Sequence, residues 1–172
     1  MELQGLLANS LFDMNRSLYT VCAALLLALN ACVSDNPNDN VAPIIPSSGH
    51  GVYIANEGSF QFGNAGISYF EEGMEDAIVD LFEPANGRPL GDVCQSMFFF
   101  NQKIYIVVNN SGKVEVVDAT SFQSEATITG FTSPRYFLPI SNRTAYVTDL
   151  FADAISIVDL SSQSIEGSIP CD

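Results

Sequence analysis

Two arginines carry the clearest chemical potential in an acidic chain. Arg88 sits in Asn86-Gly87-Arg88-Pro89-Leu90-Gly91-Asp92, and Arg135 in Ser133-Pro134-Arg135-Tyr136, both stretches of turn-forming residues. A guanidinium is a planar fork of donors that matches a carboxylate or phosphate at two points. Similar polar stretches hold Asn56, Glu57, Phe60 and Phe62, then Asn109 and Asn110, then Asp149, Phe151 and Asp153. Phe and Tyr among such groups offer faces on which a sugar or another ring can stack. The same arginines can instead pair with Asp92 or Asp149 and tie neighbouring segments together. Residue types alone leave both readings open.

Other chemistries lack their residues. The chain has one histidine, His50, and four cysteines, Cys22, Cys32, Cys94 and Cys171, with no Cys-x-x-Cys pair. A structural zinc site needs about four nitrogen or sulfur ligands at short spacings, and that pattern is missing. Cys94 and Cys171 could pair in an oxidising compartment, a point that spacing cannot decide. Glu71, Glu72, Glu75, Asp76 and Asp80 cluster without the spacing of a calcium loop and read as a solvated turn. Asp118 and Asp159 precede Ser/Thr-rich turns, where a carboxylate caps backbone N–H groups. No catalytic residue, metal site or cofactor is assigned. With 20 acidic against 6 basic residues, the chain repels phosphate backbones and anionic lipid, which disfavours nucleic acid as a partner.

The elements that must position these residues come from a repeat. Tyr105 and Tyr146, Asp118 and Asp159, and Ile128 and Ile169 are each 41 positions apart. Short alternating strands at such a period match one four-stranded propeller blade. One blade runs through Gln95–Phe100, Ile104–Val108, Val114–Val117 and Ala126–Thr129. The next runs through Arg135–Ile140, Ala145–Thr148, Ala154–Asp159 and Ile165–Ile169. A stretched earlier copy begins at Gly51–Asn56, continues at Ile67–Phe70, and is expected to end with an outer strand at Ala77–Phe82. Strands in a blade alternate direction, so the connections after second and fourth strands open on one rim. That rim is the candidate binding surface: Asn56, Glu57, Arg88, Asp92, Asn109, Asn110, Arg135, Tyr136 and Asp149. The fold class is therefore all-β, a partial β-propeller of about three blades after a signal segment. Blades bury their faces against neighbours, so the missing strands and blades are expected beyond Asp172.

The amino-terminal part reads as an address. Residues 1–13 carry Glu2 and Asp13 and read as an extension ahead of the true start at Met14. Residues 14–31 read as a lipoprotein signal peptide, with Arg16 ahead of the apolar run Leu18–Leu29. Leu29-Asn30-Ala31-Cys32 resembles a bacterial lipobox, which marks Cys32 for lipidation. Residues 32–49, rich in Asn, Asp, Ser and Pro, read as a flexible tether, and 50–172 as the blades.

The repeat resembles the YVTN-type propeller of surface-layer and YncE-like proteins. Tyr146-Val147-Thr148-Asp149 departs from that tetrapeptide at its last position only. Ile155-Ser156-Ile157-Val158-Asp159 looks like its V-x-V-I-D strand, and Thr127-Ile128-Thr129-Gly130 like its closing segment. Asn86–Asp92 and Ser133–Tyr136 resemble lipoproteins of Bacteroidetes, as do Ser34 and Asp35 after Cys32. The resemblance implies a seven-bladed ring, export, and an outer-membrane lipoprotein at the cell surface or on the periplasmic side. It says little about chemistry, because propellers host many activities. The expected role is a binding or scaffold module, held to the membrane by its lipid only, that serves a small ligand or an outer-membrane uptake partner. The alternative is a propeller enzyme, a quinoprotein-like dehydrogenase or lactonase-like hydrolase, whose cofactor ligands lie in missing blades. Replacing Cys32 by Ser should abolish incorporation of radiolabelled palmitate in the native host; undiminished labelling would show that the lipid is carried elsewhere.

Overall fold

The computed structural model describes residues 50–171. The signal peptide, Cys32 and the tether up to residue 49 lie outside the described residues. Ten strands form three antiparallel sheets, one per blade. Blade 1 pairs β1 (Val52–Asn56) with β2 (Gly66–Phe70). Blade 2 is a meander of β3 (Cys94–Phe100), β4 (Lys103–Val108), β5 (Lys113–Asp118) and β6 (Ser124–Thr129). Blade 3 repeats it with β7 (Pro134–Pro139), β8 (Thr144–Asp149), β9 (Ala154–Asp159) and β10 (Ser164–Pro170).

The repeat extends to irregularities. In blade 2 the ladder skips Gln95 between Cys94↔Val108 and Ser96↔Val107; in blade 3 it skips Arg135 between Pro134↔Asp149 and Tyr136↔Thr148. A second bulge falls at Glu125 in β6 and at Glu166 in β10. Turn chemistry repeats as well. Asp118 Oδ1 accepts from the N–H groups of Thr120 and Ser121 and from the Ser121 hydroxyl. Asp159 Oδ1 does the same for Ser161 and Ser162. These bonds hold the Asp118 carboxyl below its usual range and pull that of Asp159 down to about 2. Both are turn caps, as their sequence context indicates. The β3–β4 hairpin turns on Asn101 and Gln102, both with positive φ (50° and 61°), the geometry whose twist suits a two-residue hairpin.

No sheet has a core of its own; the cores lie between sheets. Ile104, Ile106 and Val117 of blade 2 face blade 1, where they meet Ile67, Tyr69, Leu81 and Phe82. Tyr105, Val114, Val116 and Ile128 face blade 3, where they meet Phe137, Ala145, Val147 and Val158. Blade 2 is thus buried on both sides, and Ile104-Tyr105-Ile106-Val107-Val108 reads as an unbroken apolar run, as strands covered on both faces do.

Blade 1 departs from the expected outer strand at Ala77–Phe82. Only Ile78 bridges to Tyr69. Asp80 then takes a positive φ of 50°, which ends the extended run, and a short helix α1 (Phe82–Asn86) follows. The physical reason is burial. Leu81 and Phe82 are fully enclosed in the core against blade 2, and consecutive strand residues would point to opposite faces. A turn sends both inward.

The Tyr105 ring lies flat on Phe137, with centroids 4.2 Å apart and an interplanar angle of 10°. Tyr146 holds the equivalent place in blade 3 but is only half-buried. Tyr105→Ala should therefore cost about 3–5 kcal/mol, and Tyr146→Ala a clearly smaller amount. Urea midpoints of the two variants test this, and equal losses would contradict it.

Candidate functional site

Five segments meet along one rim: the β1–β2 loop, the connection after α1, the β4–β5 turn, the blade 2 to blade 3 connection, and the β8–β9 turn. Their polar residues bind one another. Asp92 Oδ2 accepts from the Gln61 N–H at 2.8 Å and from Asn110 Nδ2 at 2.5 Å. The Asp92 N–H donates to Ser111 Oγ at 2.9 Å. Next to it Gly91, at φ 135°, lets the chain pass so near that an added Cβ would lie 2.6 Å from Ser111 Oγ. Asn109 Nδ2 donates to Ser133 Oγ at 2.8 Å and to the Pro134 carbonyl at 2.9 Å. Asp149 Oδ2 accepts from the N–H groups of Thr132 and Ser133, and its Oδ1 from that of Phe151. Asp92, Asn109, Asn110 and Asp149 are thus brought together as fasteners of the loops. Apart from Asp92 Oδ1, which has no partner among the described residues, they offer little to a ligand.

Arg88 corrects the expected pairing. It reaches neither Asp92 nor Asp149 but Glu115 of β5, Nη2 to Oε1 at 2.6 Å. Lys113 Nζ meets Oε2 of the same carboxylate at 2.7 Å. Ser124 Oγ and Thr127 Oγ1 donate to Oε1 at 2.5 and 3.1 Å. Glu115 is fully enclosed, and a carboxylate without water requires such partners. Burial alone would raise its pKa; the bonds from Arg88, Lys113 and Ser124 outweigh that and hold it below the usual range. Arg88 also lies over the Phe82 ring, 4.9 Å from its centroid. Asn86 completes the junction by donating to the Phe122 carbonyl and accepting from the Ser124 N–H. Glu115, Lys113, Ser124 and Thr127 escaped the sequence reading. The available signal was a charge between buried valines in Val114-Glu115-Val116-Val117.

The remaining candidates stay open to contact. Asn56 donates to Ser68 Oγ at 2.8 Å and lines a cleft of about 330 Å³ with Asn64, Asp80, Glu83 and Pro89. Glu57 is exposed. Burial, and after it the charge of Glu57, pushes the Cys94 thiol up to about 12. Cys94 is buried, Cys171 is exposed, and both are free thiols. Arg135 is half-buried at its bulge, its carbonyl held by Ser96 Oγ at 2.7 Å. Among the described residues the ion pairs are Arg88–Glu115, Lys113–Glu115, Lys103–Glu125 and Arg143–Asp159, so Arg135 pairs with neither Asp92 nor Asp149. Tyr136 is exposed beside it. Phe60, Phe62 and Phe151, from the same loops, are 62%, 78% and 74% exposed.

Residues 50–170 match the family model described as Domain of unknown function (DUF5074). The chain belongs to this family. No curated protein matches the DUF5074 chain. Among solved structures it is similar to a chain of a nidogen/laminin complex (TM-score 0.51, 12% identity, 70% of this chain and 43% of that one). It is also similar to hydrazine synthase of Kuenenia stuttgartiensis (TM-score 0.49, 16% identity, 62% and 30%). Glutaminyl cyclase of Myxococcus xanthus follows (TM-score 0.43, 10% identity, 73% and 50%). The DUF5074 chain thus spans half or less of each of these. At 12% identity the likeness to the chain of the nidogen/laminin complex shows the fold alone, and that fold is the β-propeller.

Replacing Glu115 by Gln leaves Arg88 and Lys113 without a counter-charge and should cost this DUF5074 domain about 2 kcal/mol at neutral pH. The Glu115 pKa is lowered on folding, so its contribution is complete above the ordinary carboxylate range and is lost as pH falls through the lowered value. The gap in urea midpoint between native and variant chains should narrow in acid. A gap independent of pH would contradict the assignment.

Proposed function

We propose that the chain is an exported, lipid-anchored β-propeller of the YncE-like kind found in Bacteroidetes, and that it acts as a binding module at the cell surface or in the periplasm. The reading of Cys32 as the lipidated residue supports the anchor. The observation that carries the binding role is the division of labour along the rim. Asp92, Asn109, Asn110 and Asp149 hold the loops, while Phe60, Phe62 and Phe151 project from those fixed loops into solvent. Exposed aromatic side chains on a rigid frame are costly in water and suit a partner that covers them. Arg135 and Tyr136 add a cation and an aromatic face for an anionic or ring-bearing group.

A partner of an outer-membrane uptake system fits this surface, with contact made by stacking and burial. The test is affinity recovery from solubilised native membranes with the full lipidated chain and with the variant Phe60→Ser/Phe62→Ser/Phe151→Ser. These side chains are exposed, so the variant should melt within a few degrees of the native chain. Recovery of a defined protein or glycan by the native chain, and its loss with the variant, is the expected outcome. Equal recovery by both, or by neither, speaks against the reading.

A further inference from the structure

Among the described residues, four of the lysines and arginines meet a carboxylate. Arg88 and Lys113 share Glu115, Lys103 meets Glu125, and Arg143 meets Asp159. Arg135 is the exception: its side chain has neither an ion pair nor a hydrogen bond among the described residues. The acid beside it in the ladder is Asp149, the partner of Pro134. That carboxylate is already engaged, Oδ2 by the N–H groups of Thr132 and Ser133 and Oδ1 by that of Phe151. With 20 acidic against 6 basic residues in the chain, an unmatched guanidinium stands out.

Arg135 is also fixed in place. It is the surplus residue of the β7 bulge, and Ser96 Oγ of blade 2 donates to its carbonyl at 2.7 Å. β3 and β7 are the first strands of their blades and lie closer to each other than the outer strands β6 and β10 do, so they are the inner strands of the fan. Blade 2 carries Gln95 at the same bulge. Gln95 has a sheet on either side of it and is still only half-buried. The opening at this position therefore belongs to the bulge at the axial mouth, and neighbouring blades do not close it. A half-buried guanidinium has lost part of its water and here gains no counter-charge. A ligand carboxylate would supply that charge and accept two parallel N–H bonds from the fork.

Resting on the reading of the rim as a binding surface, we propose that Arg135 anchors a carboxylate site at the axial mouth, and that the small ligand of this module is a singly charged carboxylate. Phosphate also matches the fork, but its higher charge is opposed by a chain of net charge -14.

Titration of the full chain with benzoate at low salt tests this, followed by saturation transfer to the benzoate resonances and by the side-chain N–H resonance of Arg135. Saturable binding in the millimolar range, with a shift at Arg135, is expected. Arg135→Gln gives blade 3 the residue that blade 2 already carries at this bulge, so the variant should fold, and it should lose the binding. Arg135→Lys keeps the charge without the fork and should bind about tenfold more weakly. Arg143→Gln, which removes an exposed cation from the β7–β8 turn, should bind as the native chain does. No saturable binding by the native chain overturns the proposal, and so does equal binding by native and Arg135→Gln chains. Inorganic phosphate binding more tightly than benzoate overturns it too. Benzoate needs no partner from the membrane. Failure here leaves recovery of a partner through Phe60, Phe62 and Phe151 standing, and failure of that recovery leaves the titration standing.

Discussion

Tyr105 stacked on Phe137 stands at the centre of the interface on which the rest of the structure depends. Four strands in a meander make a thin sheet with two apolar faces and no interior. Every enclosed side chain in blade 2 is enclosed by another blade: Ile104 and Ile106 by blade 1, Tyr105 and Val107 by blade 3. Burial of one such side chain is worth about 1.5–3 kcal/mol, and here that energy arises only when sheets stand face to face. The strands are specified locally, but their stability belongs to neighbours, as in other repeat architectures.

The strand pattern was open to sequence reading because the forces that make it are periodic. Tyr105 and Tyr146 mark the same strand, and Asp118 and Asp159 cap the same turn, so two copies corroborate each other. Blade 1 was harder. Ala77, Ile78 and Val79 resemble a strand, yet the demand that Leu81 and Phe82 both enter the core turns the chain at Asp80 and starts a helix. No repeat was available to reveal that demand, since blade 1 is stretched relative to its neighbours.

The rim shows the same contrast. Its location follows from the alternation of strand direction, and the hydrogen bonds of Asp92, Asn109, Asn110 and Asp149 do converge there. Most of their partners were beyond reach, because, apart from the local Phe151 N–H bond to Asp149, these bonds cross between segments distant in the chain. Arg88 is the sharpest case. Its closest acidic neighbour in sequence is Asp92, but desolvation of Glu115 on a strand buried on both sides creates the stronger need for a cation. With Asp92, Asn109, Asn110 and Asp149 engaged in this way, Phe60, Phe62 and Phe151 face water together with Asn56, Glu57 and Tyr136.

The bulges at Gln95 and Arg135 constrain how this polypeptide can change in length. Side chains alternate between the two sides of a sheet, so one surplus residue inverts the phase of everything beyond it. In β7 that inversion lets Pro134 and Phe137, three positions apart, both be enclosed. Deleting Arg135 would turn the inner end of the strand over and drive its exposed side chains into the packed side. Length changes are thus tolerated in the connections, where the long β1–β2 loop already lies, and selection can remodel the contact surface there while the paired strands keep their count.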